Sequence, residues 1–237
     1  MFSVGTQWNP LQAQLRELLD KGESFEEAMA LLLRMHGLLH TREVSGHSET
    51  TLMDEVWDNL SDFAFRTMPA AADVTVAWNI WHITRIEDLT CNLLMADGRQ
   101  VLDEAWQAKL HTAVRDTGNA MTDGEILSFS GEVDLPALRD YRDTVGKRTK
   151  EVLAGLKPED LKRKFAKRQV DRILEEGGVI AHPDSVWLLD FWGKKNVAGI
   201  LLMPITRHQM GHLNDCLRLK EKCKRLASSS LKGGVMA

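Results

Sequence analysis

The sequence predicts an all-α protein, a four-helix bundle with extra short helices in its connections. The first observation is composition: the chain has 237 residues, of which only 6 are proline and 1 is tyrosine, and helix-forming residues such as Leu, Ala, Glu and Lys are abundant. The second is periodicity, because apolar residues recur at helical spacing in four long segments. The alternation of apolar and polar residues that indicates a strand is not found over any length.

The first long segment covers residues 10–41. It begins with an asparagine that can cap a helix and a proline that suits the first helical turn. Ser24 and Glu27 have the separation of a capping box. The segment is therefore predicted as one long helix, or as two helices with a kink near Gly22.

A pair of histidines four residues apart, His36 and His40, lies at the end of this segment. The exposed carbonyls at a helix C-terminus interact favourably with imidazoles. We therefore interpret the pair as a helix-end feature in preference to a pair of metal ligands, while a place at the mouth of a pocket stays open.

The second long helix is predicted over residues 73–96, and it carries His82 in the middle of an apolar stripe. A buried imidazole needs a partner, and a metal ion, a carboxylate or a carbonyl would each serve. Arg85 lies one turn further on, close to the same face. Its default interpretation is a pair with an acidic side chain, and the alternative is a contact with the anionic end of a substrate.

Shorter helices are predicted in the connection that follows. Residues 99–121 look irregular, apart from a helical piece from Leu102 to Leu110. The spacing of Thr122 and Glu125 predicts a capping box that opens a short helix.

The third long helix is predicted to start at residue 135 and to end near Gly155. Residues 157–183 are the least defined part of the chain and are expected to form a flap over one end of the bundle. A short apolar helix is predicted between Asp184 and Gly193.

The fourth long helix is predicted from Val197 to about Lys222, with Asn196 as its N-cap. Pro204 lies inside the apolar pattern, where it removes a backbone donor. It should bend the helix just before the second pair of histidines, His208 and His212.

This second pair is the strongest sign of chemistry in the sequence. His208 and His212 lie one turn apart on one face, so both imidazoles can point at one spot. A catalytic metal site usually has three protein ligands, and His82 is the best candidate for the third. Neutral imidazole suits a divalent transition metal such as zinc, nickel or iron.

Two further residues of the fourth helix are candidates for a supporting role. Asp215 is available to orient an imidazole of the pair. Cys216, four residues after His212, lies roughly on the same face and could be a ligand or a reactive thiol, although a buried structural cysteine is the more frequent case.

The segment Ala77–Asp88, with its tryptophans and His82, resembles the DinB/YfiT-like superfamily when it is taken together with His208 and His212. The resemblance implies a four-helix bundle in which these three histidines bind a divalent metal. It also implies an enzyme that acts on a small-molecule substrate, and in some members a homodimer. Many members continue the last motif with Arg-Gly-Gln, whereas this chain has Leu-Asn-Asp after His212.

Members of known activity are S-transferases of low-molecular-weight thiols, a mycothiol-dependent isomerase and hydrolase-like enzymes. The leading hypothesis is therefore a thiol-dependent S-transferase with a thiol cosubstrate. A metal-dependent hydrolase is the alternative, and a non-enzymatic, stress-associated helical binding protein is the second alternative. Residues 99–133 and 157–193 are longer than in a minimal member.

Composition and motifs exclude several other classes. The net charge of −4, from 30 basic and 34 acidic residues, offers no basic field for nucleic acid. The 3 cysteines form no C-x-x-C, and the N-terminus lacks a signal-peptide pattern. We therefore expect a cytoplasmic protein that binds neither nucleic acid nor membrane. One domain is expected over residues 1–227, followed by a disordered tail over 228–237.

Overall fold

The computed structural model describes residues 4–21, 24–71 and 73–233, and the fold of these residues is all-α, as predicted. No strand is formed in the described ranges. A single isolated bridge between Lys164 and Asn196 is the only β-type pairing there.

Thirteen α-helices occur in the part of the chain that the structure describes. Their bounds are α1 Asn9–Lys21, α2 Phe25–Leu39, α3 Arg42–Ser45, α4 Leu52–Trp57, α5 Asp62–Arg66, α6 Val76–Asp88, α7 Glu104–Leu110, α8 Asp123–Glu132, α9 Leu135–Ala154, α10 Lys167–Glu175, α11 Pro183–Gly193, α12 Val197–Leu202 and α13 His208–Gly233. Three π-helical segments, Val4–Trp8, Leu89–Met95 and Met203–Arg207, and one 3-10 helix, Pro158–Lys162, complete the list.

The bundle is built from four long helical units: α2, α6 with the π-segment that follows it, α9, and α12 with α13. Helix α6 packs against α9 and α13, and α2 packs against α9 and α13. Leu32, Ile83, Leu138 and Leu213, one from each unit, are completely buried. The apolar stripes seen in the sequence therefore form the core. Burying one such side chain contributes roughly 1.5–3 kcal/mol to the stability of the fold.

The predicted first long segment is two helices, α1 and α2. Ser24 is the N-cap of α2, but its side chain makes no capping hydrogen bond, so the capping box predicted there is wrong. The capping box at Thr122 is confirmed. Its hydroxyl accepts from the backbone N–H of Glu125, whose carboxylate accepts from the N–H of Thr122.

The interruption predicted at Pro204 is confirmed in position, and its form is a π-helical turn, Met203–Arg207. The widened turn leaves carbonyls that side chains satisfy. The Thr206 hydroxyl donates to the carbonyl of Leu201 at 2.8 Å, and Gln12 of α1 donates to that of Leu202 at 2.9 Å. The turn ends where α13 begins, at His208.

The end of the chain differs from expectation. Helix α13 continues to Gly233, so residues 228–233 are helical where a disordered tail was predicted. Residues 234–237 of that tail lie outside the described residues. Within the described ranges, no helix combines the length and the apolar character needed to cross a lipid bilayer.

Candidate metal centre

Three histidines from two helices of the bundle converge. The structure brings His82 of α6 together with His208 and His212 of α13, with one ring nitrogen of each within 4.8 Å of the others. Nε2 of His82 lies 3.3 Å from Nε2 of His208. The grouping expected from the sequence therefore has the geometry of a site that could hold a metal ion.

Hydrogen bonds behind the rings orient two of these imidazoles. Nδ1 of His82 lies 2.7 Å from the carbonyl oxygen of Thr117, and Nδ1 of His212 lies 2.6 Å from Oδ1 of Asn79. Both oxygens accept only, so each Nδ1 carries the proton and each Nε2 keeps a lone pair directed into the cluster. Nδ1 of His208 is buried and has no hydrogen-bond partner among the described residues.

The environment keeps the cluster uncharged. Burial lowers the pKa of His82 to about 3 and that of His212 to about 4, and the nearby imidazole of His212 adds to the effect on His82. Burial and the two neighbouring imidazoles also hold the pKa of His208 well below its ordinary value. Neutral imidazoles with free lone pairs are the form that binds transition metals, so the donor set fits such an ion.

A loop between α7 and α8 fixes the first turns of α6. Trp78, Trp81 and His82 bond through their ring nitrogens to the carbonyls of three consecutive residues, 116–118. Gly118 has φ +75°, and a Cβ there would lie 2.7 Å from Nε1 of Trp78. The loop, which was predicted as irregular, therefore orients the ring of His82. A side chain larger than hydrogen does not fit at Gly118.

The cluster opens into a cavity of about 520 Å³. Helix α11, which lies in the long segment 157–193, forms one wall of the cavity, and Trp78 stacks on the ring of His82 at a centroid distance of 4.6 Å. The lining residues are Trp78, His82, Ile86, Asn119, Trp187, Leu188, Phe191, Trp192, Met203, Pro204, His208 and His212. Apart from the histidines and Asn119, the wall is apolar.

Arg85 does not reach this cavity. Its guanidinium is completely buried and donates to Asp88 and Tyr141 at 2.9 Å each and to Gln100 at 2.7 Å. A fourth bond goes to the carbonyl of Arg115. The structure matches the default interpretation, in which Arg85 pairs with an acidic side chain. It does not match the alternative, a contact with the substrate.

Asp215 and Cys216 also lie away from the cluster. Asp215 pairs with Arg218 at 3.3 Å. Cys216 is completely buried, and burial raises the pKa of its thiol. Neither residue lines the cavity, so the structure gives no support for either as a partner of the histidines.

His36 and His40 form a second cluster with Glu87, and by distance it too could hold a metal ion. Nε2 of His36 lies 2.9 Å and Nε2 of His40 lies 3.2 Å from the Glu87 carboxylate. Because a carboxylate accepts only, both nitrogens donate. Arg142 and Gln209 donate to the other carboxylate oxygen at 2.7 and 2.9 Å.

Charge and burial make this second cluster the poorer metal site. Burial alone would raise the pKa of Glu87, but His40 and Arg142 hold it well below its usual value, so the carboxylate is ionised and paired. Burial and Arg142 lower the pKa of His40 to about 3. A cation added here would meet the buried Arg142 charge, and none of the three residues lines a described cavity. The pair lies at a helix end, as predicted, and its contact with Glu87 has no local signal in the sequence.

Some members of the first site had a signal in the sequence and others had none. Asn79 precedes His82 by three residues, so helical spacing already places it near the same face. The acceptor at Thr117 is a backbone carbonyl, which has no side-chain signature. The sequence predicts the apolar helix α11 that carries Trp187 and Phe191, but no local pattern shows that this helix closes the cavity.

Fold and site together define a class: an all-α bundle with a three-histidine cluster that could hold a metal ion. The family model of the DinB superfamily matches residues 47–216, and the chain therefore belongs to that superfamily. The match includes His82, His208 and His212 but leaves out α1 and α2. No curated protein matches the chain.

Proposed function

We propose that this protein is a metal-dependent enzyme in which His82, His208 and His212 bind one divalent transition-metal ion, with zinc, nickel and iron as the candidates. The supporting observation is the convergence of three neutral imidazoles at the floor of a cavity, two of them oriented by acceptors on Nδ1. Three protein ligands would leave a bound metal ion with a coordination position for a substrate or cosubstrate.

The reaction we propose first is transfer of a low-molecular-weight thiol to a small electrophile. A divalent metal held by His82, His208 and His212 would supply Lewis acidity, which lowers the pKa of a thiol or water beside it. In the transfer, the thiol sulfur forms a bond to the electrophilic carbon, the bond from that carbon to its leaving group breaks, and the thiol proton passes to solvent. The aromatic wall on α11 offers the electrophile an apolar surface beside the histidines, and Asn79 and Thr117 hold two imidazoles in place.

Metal-dependent hydrolysis is the second candidate, and one observation favours it. Among the described residues, no Lys or Arg side chain lines the cavity, so a thiol that carries carboxylates would find no cationic side chain there. Water needs no such partner. Activity in the complete absence of added thiol would distinguish hydrolysis from transfer.

We also propose a cytoplasmic location. All three cysteines are free thiols, and a reducing compartment such as the cytoplasm keeps thiols in that state.

The first test is metal content, measured by plasma mass spectrometry on tag-free protein purified without added metal. His82→Ala and His212→Ala should each lose a near-stoichiometric metal ion while retaining helical circular dichroism. His36→Ala is the matched control, because it removes a histidine of the second cluster and should keep the metal. Wild-type protein that stays metal-free after reconstitution would refute the proposal.

If metal is present, the protein is assayed with a panel of electrophiles, with and without cellular thiols, before and after chelation. Thiol-dependent turnover that disappears on chelation supports the transferase. Metal-replete protein that is inert across the panel contradicts enzymatic activity of either kind.

A further inference from the structure

The wall of the cavity carries no charge. None of its twelve lining residues is Asp, Glu, Lys or Arg, and apart from indole N–H groups the polar groups among them are the three histidines and Asn119. The amide oxygen of Asn119 already accepts from the hydroxyl of Thr117 at 2.7 Å. In the metal-free cavity, a charged group would lose its hydration without gaining a counter-charge from the wall.

Helix α11 supplies aromatic rings to this wall. Trp187 and Phe191 lie one turn apart, with ring centroids 5.7 Å apart in an edge-on arrangement. Trp187 is 48% exposed although it borders the cavity. Its indole N–H already donates to the carbonyl of Asp184, so only the apolar ring is available to contact a ligand. Aromatic rings kept partly in water beside a cavity are typical of ligand contacts.

We propose that this cavity binds an uncharged aromatic small molecule, and that Trp187 and Phe191 determine this preference. The inference deepens the proposed function, on which it rests for the reaction at the histidines, since it specifies the chemical class of the substrate. Cavities of roughly 300–1,000 Å³ bury most of a drug-sized ligand, so 520 Å³ has room for a fused aromatic ring beside the reacting group.

The test uses three probes with the same ring system and different charge: naphthylmethanol, naphthylmethylammonium and naphthalenesulfonate. Dissociation constants are measured by isothermal titration calorimetry on the full chain, both chelated and zinc-loaded. To chelated protein, naphthylmethanol should bind at least about tenfold more tightly than either charged probe, because the aromatic wall is present without metal. In zinc-loaded protein the comparison is made with naphthylmethylammonium, because the metal charge attracts the anionic probe.

Variants of α11 link the preference to its rings. Trp187→Ala and Phe191→Ala should each weaken naphthylmethanol binding by about tenfold. Phe63→Ala is the matched control, because Phe63 is a comparably exposed aromatic, 49% exposed, on α5 and away from this cavity. Trp187→Lys, at a half-exposed position that tolerates a long side chain, should shift the preference towards naphthalenesulfonate.

The outcomes separate the two proposals. Tight, charge-selective binding by chelated protein, together with an enzyme that is inert when loaded with zinc, nickel or iron, would support the cavity preference and refute the proposed function. A charged probe that binds chelated protein as tightly as naphthylmethanol would overturn the cavity preference. Losses in Trp187→Ala and Phe191→Ala no larger than in Phe63→Ala would also overturn it.

Discussion

At the scale of single residues, Glu87 connects the helices of the bundle through its hydrogen bonds. Its carboxylate accepts from side chains of three other helices, namely His36 of α2, Arg142 of α9 and Gln209 of α13. With Glu87 itself on α6, one completely buried carboxylate joins all four units of the bundle. The network attaches α2, which lies outside the family match, to the matched part of the chain.

Glu87→Ala should destabilise the fold by about 3–5 kcal/mol, because it leaves the buried Arg142 charge without its partner. Urea unfolding measures this. Glu43→Ala breaks an exposed pair with Lys147 and should change the free energy of unfolding by about 1 kcal/mol or less. Folded Glu87→Ala protein should keep its metal, and loss of metal would instead place the ion in the second cluster.

Asn79 orients His212, so Asn79→Ala should lower metal affinity by about 10–100-fold, the usual effect of removing a group that orients a ligand. Competition with a chelator of known affinity gives the number. Asn214→Ala, at an exposed position on the same helix as His212, is the control and should leave the affinity unchanged. Equal affinities in the two variants would show that the Asn79 contact does not orient the ligand.

At the scale of elements, the loop before α8 acts as a brace for α6. The carbonyl of Gly118 accepts a hydrogen bond from the indole N–H of Trp78, and the φ of +75° at this position favours glycine. The brace acts on the cluster through Thr117, whose carbonyl holds the ring of His82.

Gly118→Ala should therefore lower both stability and metal affinity, since the new Cβ meets Trp78 and the loop has to shift. Gly46→Ala provides a matched control: its φ is +76°, but nothing lies within 4 Å of the added carbon. We expect Gly46→Ala to show only the cost of the backbone conformation, about 1 kcal/mol, with unchanged metal binding. Thermal unfolding and chelator competition on both variants check this, and equal effects would rule out the brace.

At the scale of the whole molecule, buried histidines make stability depend on pH. The folded-state pKa of His40 is lowered to about 3 from an ordinary 6.5, chiefly by burial. The unfolded chain therefore binds a proton first as pH falls. Stability from this group is fully present above about pH 6.5, and it is lost progressively as pH falls towards the folded value.

His40→Gln should flatten the acid side of the stability curve relative to wild type, by up to about 1.4 kcal/mol per pH unit within that window. Urea unfolding between pH 4 and pH 8, about the range that brackets the transition, measures the difference. His47→Gln, at an exposed histidine in the loop after α3, is the control and should follow the wild-type slope. Parallel curves for wild type and His40→Gln would contradict this account.

The sequence by itself determined the features that depend on local spacing. The all-α class, the caps at Thr122 and Asn196 and the interruption at Pro204 follow from residues within a few positions of one another. The grouping of His82 with His208 and His212 could also be predicted. Two positions one turn apart share a face, and a histidine in an apolar stripe points into the same core.

Only the tertiary structure decided which distant groups meet. His36 and Arg142 are 51 and 55 residues from Glu87 along the chain, and no local rule pairs them. The Thr117 acceptor is a backbone carbonyl, which every residue possesses and no sequence pattern marks. Helix α11 closes the cavity because it packs against α10, which packs against the π-segment after α6. Periodicity records which face of a helix is apolar, whereas packing geometry selects the surface that covers it.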